Sequence, residues 1–501
     1  METLLTIDPE LLSLSQVQMS ALMPFFWITV GIILAIILCV IKFINPKPLV
    51  FIVSVLAALV AAWSSFSLLA EGPVIIFNNM MVVDSFSNFM NLIFLFSAVA
   101  TVFASYKYLD LQKIQHLEYY ILVLLSTLGM MLMVSSLDLI VLFIALEFMS
   151  LMVYTLVGFR RADRKSNESA VKYFIMGGAA SALLLYGVAL LYGATGTTNI
   201  VRILDYVQIE AFSHLPLFAV GSVLVIVGFM FKVASVPFHM WMPDVYEGAP
   251  TPVTGFMTTG LKAAAFAAFL RVFISLGYGQ GLVQSIETNI HNVLWISAVL
   301  TMLLGNVVAL TQTNLKRMLA YSSIAHTGYI LIGFLSGSGH TYGYTPLLIY
   351  LASYAIMNLG AFVILTVLSK ENDSGVNLHN VSGLSQTNPW LSFSMAVFLL
   401  SMAGLPPTVG FIAKYMLFYS AIEAGEIWLV VLAVLCSAVS VYYYLRVLVY
   451  MYMKDAFEEK GAVRVPFLSA TAVCLLVLLT LQLGILPSKI VEAAKIAISS
   501  L

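Results

Sequence analysis

The sequence predicts an all-α protein that crosses a membrane many times. Of its 501 residues, 61% are hydrophobic and 9% are charged, whereas soluble proteins are roughly 45–50% apolar and about 25% charged. A helix needs about 20 mostly apolar residues to cross the hydrocarbon. Runs of this length follow one another with only short polar, glycine or proline interruptions. The composition and the spacing therefore favour one polytopic helical bundle over several soluble domains.

Fourteen of these runs are predicted to be transmembrane helices, which we number as spans one to fourteen. Their approximate bounds are 23–44, 49–69, 89–107, 117–135, 137–158, 168–193, 215–238, 251–275, 290–311, 315–336, 344–369, 391–423, 427–453 and 466–486. The stretches 197–215 and 488–501 mix apolar and charged residues, as helices lying on a membrane surface do. An ordinary polar connection explains each of these two stretches equally well.

The distribution of Lys and Arg predicts the orientation of the bundle. When the spans are threaded alternately through a membrane, one set of loops holds fourteen of these residues and the other set holds three. Lys and Arg accumulate in cytoplasmic loops, so both termini are expected on the side away from the cytoplasm. The net charge is −1 and no long basic run is present, so the chain lacks the charge signature of a nucleic-acid-binding protein.

Spans seven and twelve share a pattern that predicts an internal repeat. Span seven carries Lys232 and then Pro237, and span twelve carries Pro406 and Pro407 and then Lys414. The two spans are five apart, and five is odd, so the second copy crosses the membrane in the opposite sense, with both of these helices discontinuous. Inverted repeats with broken helices are typical of transporters. The predicted divisions are three N-terminal helices (1–116), a first five-helix repeat (117–275), an inverted second repeat (290–453) and a last helix with a short tail (466–501).

Four ionisable residues deep within spans are candidates for proton transfer. They are Glu147 in span five, Lys232 in span seven, Lys262 in span eight and Lys414 in span twelve. Ionisable residues at this depth are costly and usually functional, although a buried ion pair that only joins helices is the structural alternative. One acid cannot neutralise three lysines, so we expect their protonation to change during function.

His326, in the middle of span ten, is a fifth candidate. Span ten is the second helix of the second predicted repeat, as span five is of the first, so His326 and Glu147 are potential counterparts. A structural histidine hydrogen-bonded to Ser322 or Ser323 explains the residue equally well.

The prolines give a physical reason for placing the site at the helix breaks. Pro237 supplies no N–H to the carbonyl of Val233, and Pro406 and Pro407 leave the carbonyls of Met402 and Ala403 without helical donors. Within a membrane such carbonyls need another donor, for example a lysine, a hydroxyl or a water. Lys414 follows Pro407 by two helical turns on the same face, so we expect the break and the lysine to share one cavity.

Other polar features are expected to be structural. Lys172, Arg271 and Arg446 lie near span ends, where ion pairing or snorkelling is sufficient. The three cysteines lie singly in apolar runs and are expected to be packing residues. The chain contains no Walker motif, Cys-x-x-Cys, zinc-binding His pair or Gly-x-Ser-x-Gly, so no cofactor or metal is expected in this chain.

Three segments resemble a known family. The segment 239–253 (HMWMPDVYEGAPTPV) is similar to the signature of the antiporter-like membrane subunits of proton-pumping NADH-quinone oxidoreductase, respiratory complex I. The segments 168–174 (ESAVKYF) and 191–196 (LYGATG) resemble one branch of that family. By this resemblance, Glu147, Lys232, Lys262 and Lys414 match the proton-transferring residues of helices five, seven, eight and twelve.

The resemblance also implies the setting in which the chain acts. Protons would pass from the cytoplasmic to the outer side of a bacterial inner membrane while other subunits reduce quinone. NADH, FMN, iron–sulfur clusters and quinone would be bound by those partner subunits of the membrane complex.

Two other functions remain open from the sequence. The first is a subunit of a Mrp-type sodium/proton antiporter, which would work without redox chemistry. Sodium sites prefer carboxylate and carbonyl oxygens, however, and the spans hold one central acid against three lysines. The second is a structural spacer within a membrane complex, for which the buried charges would be dispensable.

Overall fold

The computed structural model describes residues 15–41, 46–208, 214–337, 343–370, 373, 376–455 and 463–501. The described chain is mostly helical, with one antiparallel hairpin of strands β1 (Val74–Ile76) and β2 (Met81–Val83). The helices are α1 (Gln16–Val40), α2 (Pro46–Ser67), α3 (Ser85–Leu111), α4 (Glu118–Val134), α5 (Leu139–Val157), α6 (Arg164–Thr195), α7 (Ile200–Gln208), α8 (Leu215–Lys232), α9 (Trp241–Gly248), α10 (Thr251–Ser275), α11 (Gln284–Ala309), α12 (Leu315–Ser336), α13 (Thr345–Leu368), α14 (Leu384–Thr387), α15 (Pro389–Ala403), α16 (Val409–Glu423), α17 (Ile427–Met453), α18 (Phe467–Ile485) and α19 (Ser488–Ser499).

Twelve of these helices, within the described ranges, are long and apolar enough to cross a membrane. They coincide with twelve of the fourteen predicted spans, so the prediction of a helical multispan protein is confirmed. The two remaining runs form shorter helices. Span four is α4, of 17 residues, and span twelve is divided into α15 and α16, of 15 residues each. The count of fourteen and the inverted repeat stay predictions.

Polar side chains at the span boundaries set several helix starts. Asp138 accepts hydrogen bonds from the N–H groups of Ile140 and Val141 at the beginning of α5. Asn314 does the same for Lys316 and Arg317 at the beginning of α12. These side chains satisfy amide groups that have no partner within the helix.

The breaks in spans seven and twelve appear as interruptions of helical structure. Helix α8 ends at Lys232 rather than at the predicted residue 238, and helical structure resumes at Trp241. Helix α15 ends at Ala403, followed by Gly404 in the left-handed conformation (φ +86°), and α16 begins at Val409. Glycine adopts this conformation without the steric cost that a Cβ would add.

Helices α10, α12 and α13 form the centre of the bundle. They are buried along nearly their whole length, whereas α1 and α18 expose most of their surface. In a membrane protein these exposed apolar surfaces face lipid or other subunits. Lys262 on α10 and His326 on α12 therefore lie at the centre of the molecule.

Two smaller expectations have different outcomes. Both predicted surface stretches contain a helix separate from the spans, namely α7 and α19; residues 209–213 of the first stretch lie outside the described chain. The expectation that all three cysteines are packing residues is wrong for Cys474, which is exposed on α18. An apolar run alone does not distinguish a lipid-facing position from a packed one.

Candidate functional site

The first element of the site is an acid and a base on neighbouring helices. The Nζ of Lys232, at the end of α8, lies 3.6 Å from an Oε of Glu147 on α5. It also donates a hydrogen bond of 3.0 Å to Ser150, which lies one turn after Glu147 on the same face. Ser181 on α6 donates a hydrogen bond to Glu147. The Lys232 side chain is 4% exposed and that of Glu147 is 24% exposed, so only the acid is accessible from outside the chain.

The second element is Lys262, which is buried at the centre of α10. Its Nζ donates hydrogen bonds of 2.6 Å to the hydroxyl and to the carbonyl of Ser323 on α12. A π-helical turn, Met257–Leu261, directly precedes the lysine. Such turns are rare and often lie at functional sites. No acid forms an ion pair with Lys262 among the described residues.

The third element is His326, whose two ring nitrogens both have partners. Nδ1 lies 2.7 Å from the hydroxyl of Tyr350, and Nε2 lies 3.3 Å from that of Tyr444. The hydrogen bond to Ser322 or Ser323, which the structural alternative for this histidine assumed, is therefore not formed. Ser322 instead bonds to Tyr444, and Ser323 holds Lys262.

The fourth element is Lys414, which donates hydrogen bonds to backbone carbonyls at the break in span twelve. Its Nζ lies 2.9 Å from the carbonyl of Met402, 3.0 Å from that of Ala403 and 2.9 Å from the hydroxyl of Ser437. An ammonium group has three N–H donors, and three acceptors surround this one. The two carbonyls are those that Pro406 and Pro407 deprive of helical donors.

The break after α8 is held by hydroxyl groups from the second half of the chain. Thr327 on α12 donates a hydrogen bond of 2.9 Å to the carbonyl of Val233. On α11, Thr301 accepts from the N–H of Val236 at 2.9 Å, and Ser297 donates to the carbonyl of the same residue at 2.8 Å. These three residues are not among the candidates predicted from the sequence. Their signal is a hydroxyl four residues from another, Ser297 with Thr301 and Ser323 with Thr327, within apolar runs.

The four elements form one row across the bundle. The hydroxyl of Thr327 also lies 3.2 Å from the carbonyl of Ser323, its second available acceptor, and so links the break after α8 to Lys262. The ring of Tyr354 lies 5.7 Å from the Lys262 Nζ and 4.9 Å from the His326 ring. The ring of Tyr329 lies 5.7 Å from the His326 ring and 5.3 Å from the Lys414 Nζ.

All five predicted site residues therefore belong to this row, although only Glu147 and Lys232 contact each other directly. Hydroxyl groups and aromatic rings fill the intervals. Because hydroxyl groups both donate and accept hydrogen bonds, such a row can pass protons between neighbouring groups. Among the described residues, no group of three His, Cys, Asp or Glu side chains could hold a metal ion.

The residues expected to be structural have fixed partners. Arg271 contacts Asp84 at 2.8 Å, and Arg446 donates to the carbonyl of Leu310. Lys172 lies 3.0 Å from Asp244, which also contacts Arg317 at 2.8 Å. Burial raises the pKa of Asp244, but hydrogen bonds from Lys172 and Arg317 outweigh this effect and lower it. These pairs join helices outside the central row.

A buried carboxylate, Asp373, joins several elements at one end of the bundle. It lies 3.3 Å from the Nζ of Lys316 and 3.5 Å from an Nη of Arg160, and it accepts hydrogen bonds from Tyr108 and Ser369. Burial raises its pKa, but the positive charges of Lys316 and Arg160 outweigh burial and hold the pKa below its usual value. Asp373 is therefore charged at neutral pH.

We expect Asp373→Asn to destabilise the chain by about 3–5 kcal/mol, because it leaves Lys316 buried without an opposite charge, whereas Arg160 keeps its contact with Asp163 at 2.9 Å. Since the folded-state pKa is lowered, the carboxylate stabilises the fold above the unfolded-state pKa of about 3.9. That stabilisation is lost as the pH falls through the folded-state pKa. Thermal unfolding in mild detergent should show a lower midpoint for the variant at pH 7 and a smaller difference from the wild type below pH about 4. Asp455→Asn, at an exposed position, is the control, and an equal shift in both variants would contradict the expectation.

Comparisons with known proteins agree with this architecture. Residues 136–440 match the model of a family described as NADH:quinone oxidoreductase/Mrp antiporter, TM. A protein of Trichlorobacter lovleyi named NADH-quinone oxidoreductase subunit N is 44% identical over 422 residues, which cover 84% of this chain and 85% of that protein. Subunit N is the branch that segments 168–174 and 191–196 resemble.

Two solved structures share the fold. A chain of respiratory complex I from Thermus thermophilus is 35% identical, with a TM-score of 0.79 over 94% of this chain and 99% of that one. A chain of the Mrp complex from Dietzia sp. is 22% identical, with a TM-score of 0.83 over 96% of this chain and 97% of that one, and it supports the fold alone. By the family match and the identity to subunit N of Trichlorobacter lovleyi, the chain belongs to the NADH:quinone oxidoreductase/Mrp antiporter transmembrane family.

Proposed function

We propose that this chain is a proton-translocating membrane subunit of a bacterial NADH-quinone oxidoreductase. The observation that carries the proposal is the row of ionisable residues from Glu147 through Lys232, Lys262 and His326 to Lys414, in a chain 44% identical to a subunit N. The chain performs no redox chemistry itself. NADH, FMN, iron–sulfur clusters and quinone are bound by partner subunits, and other membrane-arm subunits are its neighbours.

Each proposed site residue has a role that follows from its contacts. Glu147 holds positive charge on Lys232, and its partial exposure lets an adjacent subunit or a hydrated cavity change that interaction. Lys262 and Lys414 hold protons near the centre and the far end of the row. His326 lies between them, next to Tyr354 on the Lys262 side and Tyr329 on the Lys414 side. Pro237, Pro406 and Pro407 open the backbone at the two breaks.

The energies involved are suited to a reversible pump. At 3.6 Å and an effective dielectric constant near 20, the attraction between Lys232 and Glu147 is about 4–5 kcal/mol. Moving one charge against 150–200 mV costs about 3.5–4.5 kcal/mol. Changing one ion pair can therefore drive one proton step, and the membrane potential can reverse it.

The proposal includes a topology. Fourteen transmembrane helices with two inverted five-helix repeats place both termini on the outer side of the inner membrane, as the excess of Lys and Arg in alternate loops favours. Spans seven and twelve, whose helices are interrupted after Lys232 and Ala403, occupy equivalent positions in the two repeats.

A sodium/proton antiporter subunit is the second candidate, and one family model describes both kinds of protein. The oxygen atoms at the break in span twelve argue against it. The carbonyls of Met402 and Ala403 accept hydrogen bonds from Lys414, and an ammonium group in that place repels a second cation. A structural spacer is the third candidate and requires no such row.

One reconstitution experiment distinguishes the candidates. We expect vesicles that contain the purified complex to take up protons when NADH and a quinone are supplied, and to show no exchange of protons for an imposed sodium gradient. Lys262→Met should abolish most of the NADH-driven uptake, whereas Lys107→Met, at an exposed position, should not. Sodium-dependent proton movement that Lys232→Met abolishes would establish the antiporter, and full pumping by Lys262→Met would favour the spacer.

A further inference from the structure

An apolar groove of about 600 Å³ lies on the surface of the bundle, and none of its lining residues belongs to the proton row. Helices α2, α3, α13, α18 and α19 contribute its sixteen lining residues, all of which are apolar. Ala352 and Ala355 on α13 line part of the groove, and Leu479 on α18 lines another part. An empty space of this size would cost the lining residues their dispersion contacts on one side, so an occupant is needed.

The position of the groove along the helices indicates what kind of molecule fits. On α3 the lining extends from Phe89 to Val99, which is about 15 Å of helix. On α2 and α18 it uses the last part of each helix, from Leu59 and Leu475 onward. The hydrocarbon core is about 30 Å thick, so the groove extends through one leaflet only. A transmembrane helix of a partner would need a groove through both leaflets, whereas an acyl chain needs one.

An exposed lysine lies beside the mouth of the groove. Ile490 on the surface helix α19 borders the groove, and Lys489, next to it, is exposed and has no ion pair among the described residues. Lysine side chains at a membrane surface attract the anionic phosphates of lipids. An apolar groove of one leaflet's length with a lysine beside one end is complementary to a phospholipid, which has an apolar acyl chain and an anionic phosphate.

We propose that one phospholipid of the leaflet on the α19 side binds in this groove. One acyl chain fills the space between α2, α3, α13 and α18, and the phosphate lies at Lys489. Lipid tails are as apolar as the groove, so the hydrophobic effect does not favour binding over the surrounding bilayer. Close packing and the attraction between lysine and phosphate hold this lipid longer than its neighbours.

The test uses the whole complex purified in mild detergent, with phospholipid quantified by phosphorus assay and mass spectrometry. Leu479→Trp fills the groove and is expected to remove one tightly held phospholipid per complex. Leu478→Trp is the matched control, because Leu478 is 62% exposed on the same helix and does not line the groove. Equal lipid content in both variants and the wild type would overturn the proposal. Loss of a neighbouring protein chain from Leu479→Trp, with unchanged lipid, would also overturn it and assign the groove to a partner.

Variants of Lys489 keep the test valid if tryptophan disturbs assembly, because this side chain is exposed. With phosphatidylglycerol spin-labelled on one acyl chain as the probe, Lys489→Glu is expected to lose one immobilised lipid per complex and Lys489→Arg to retain it. An unchanged immobilised fraction in Lys489→Glu would rule out the proposed phosphate site.

Discussion

Replacing Pro406 and Pro407 together by alanine is expected to abolish most NADH-driven proton transport while the complex assembles in normal amounts. The two alanines supply N–H groups that compete for the carbonyls of Met402 and Ala403, the acceptors that now hold Lys414 at 2.9 and 3.0 Å. Lys414 then loses its position at the break. The measurement is proton uptake by vesicles, normalised to the amount of complex on a native gel.

A matched control and a double-variant cycle sharpen this test. Pro389→Ala changes a proline at the start of the same span, where proline costs no helical hydrogen bond, and it should pump normally. Lys414→Met alone should lose as much transport as the double alanine variant, and combining the two should add little, since residues acting as a unit are not additive. Normal pumping by the double alanine variant, or losses that multiply on combination, would show that break and lysine act separately.

Gly404 offers an independent way to displace Lys414. A Cβ at this position would lie 2.8 Å from Cδ of Lys414, and the backbone conformation there disfavours any residue other than glycine. Gly404→Ala should therefore reproduce the loss of transport seen in the double alanine variant.

Glu147→Ala is expected to lower proton transport and NADH-quinone turnover together, by roughly tenfold, which corresponds to about 1.4 kcal/mol. The change leaves Lys232 with Ser150 and no carboxylate at 3.6 Å, so the charge on the lysine can no longer be modulated. Glu147→Gln keeps the side-chain shape and should have a smaller effect.

Turnover is measured in membranes with NADH and a quinone, and transport is measured in the same preparation. Glu423→Gln, at an exposed position near the end of α16, controls for the loss of a carboxylate as such. Unchanged turnover in a fully assembled Glu147→Ala complex would remove Glu147 from the mechanism. Normal turnover with reduced transport would instead show that the acid serves transport without controlling the redox reaction.

Local covalent constraints made part of the site predictable. A proline in a helix leaves the carbonyl four residues before it without its N–H donor, whatever the tertiary fold. The breaks, and the need of the Met402 and Ala403 carbonyls for other donors, therefore follow from the sequence. Burial of Lys232, Lys262 and Lys414 follows from their depth in apolar runs. The multispan fold follows from the length of those runs.

The partners that complete the site depend on tertiary packing. Tyr350 and Tyr444 are 24 and 118 positions from His326, and nothing local distinguishes them from other tyrosines. The nearby serines were the plausible partners, yet Ser322 and Ser323 bond elsewhere. The π-helical turn before Lys262 contains no proline and one glycine, so it has no recognisable sequence signal.

The hydroxyl groups that hold the break after α8 constrain how the protein is made. Thr301 and Thr327 bond to Val236 and Val233, yet they lie 65 and 94 residues later in the chain. During synthesis the first half reaches the membrane before these donors and acceptors exist. Water or an insertion factor must then cover the open backbone groups, because bare amides are costly in hydrocarbon. The Lys232 region is therefore completed only after the helix carrying Thr327 has been inserted, so a chain truncated before that point would lack a finished first half.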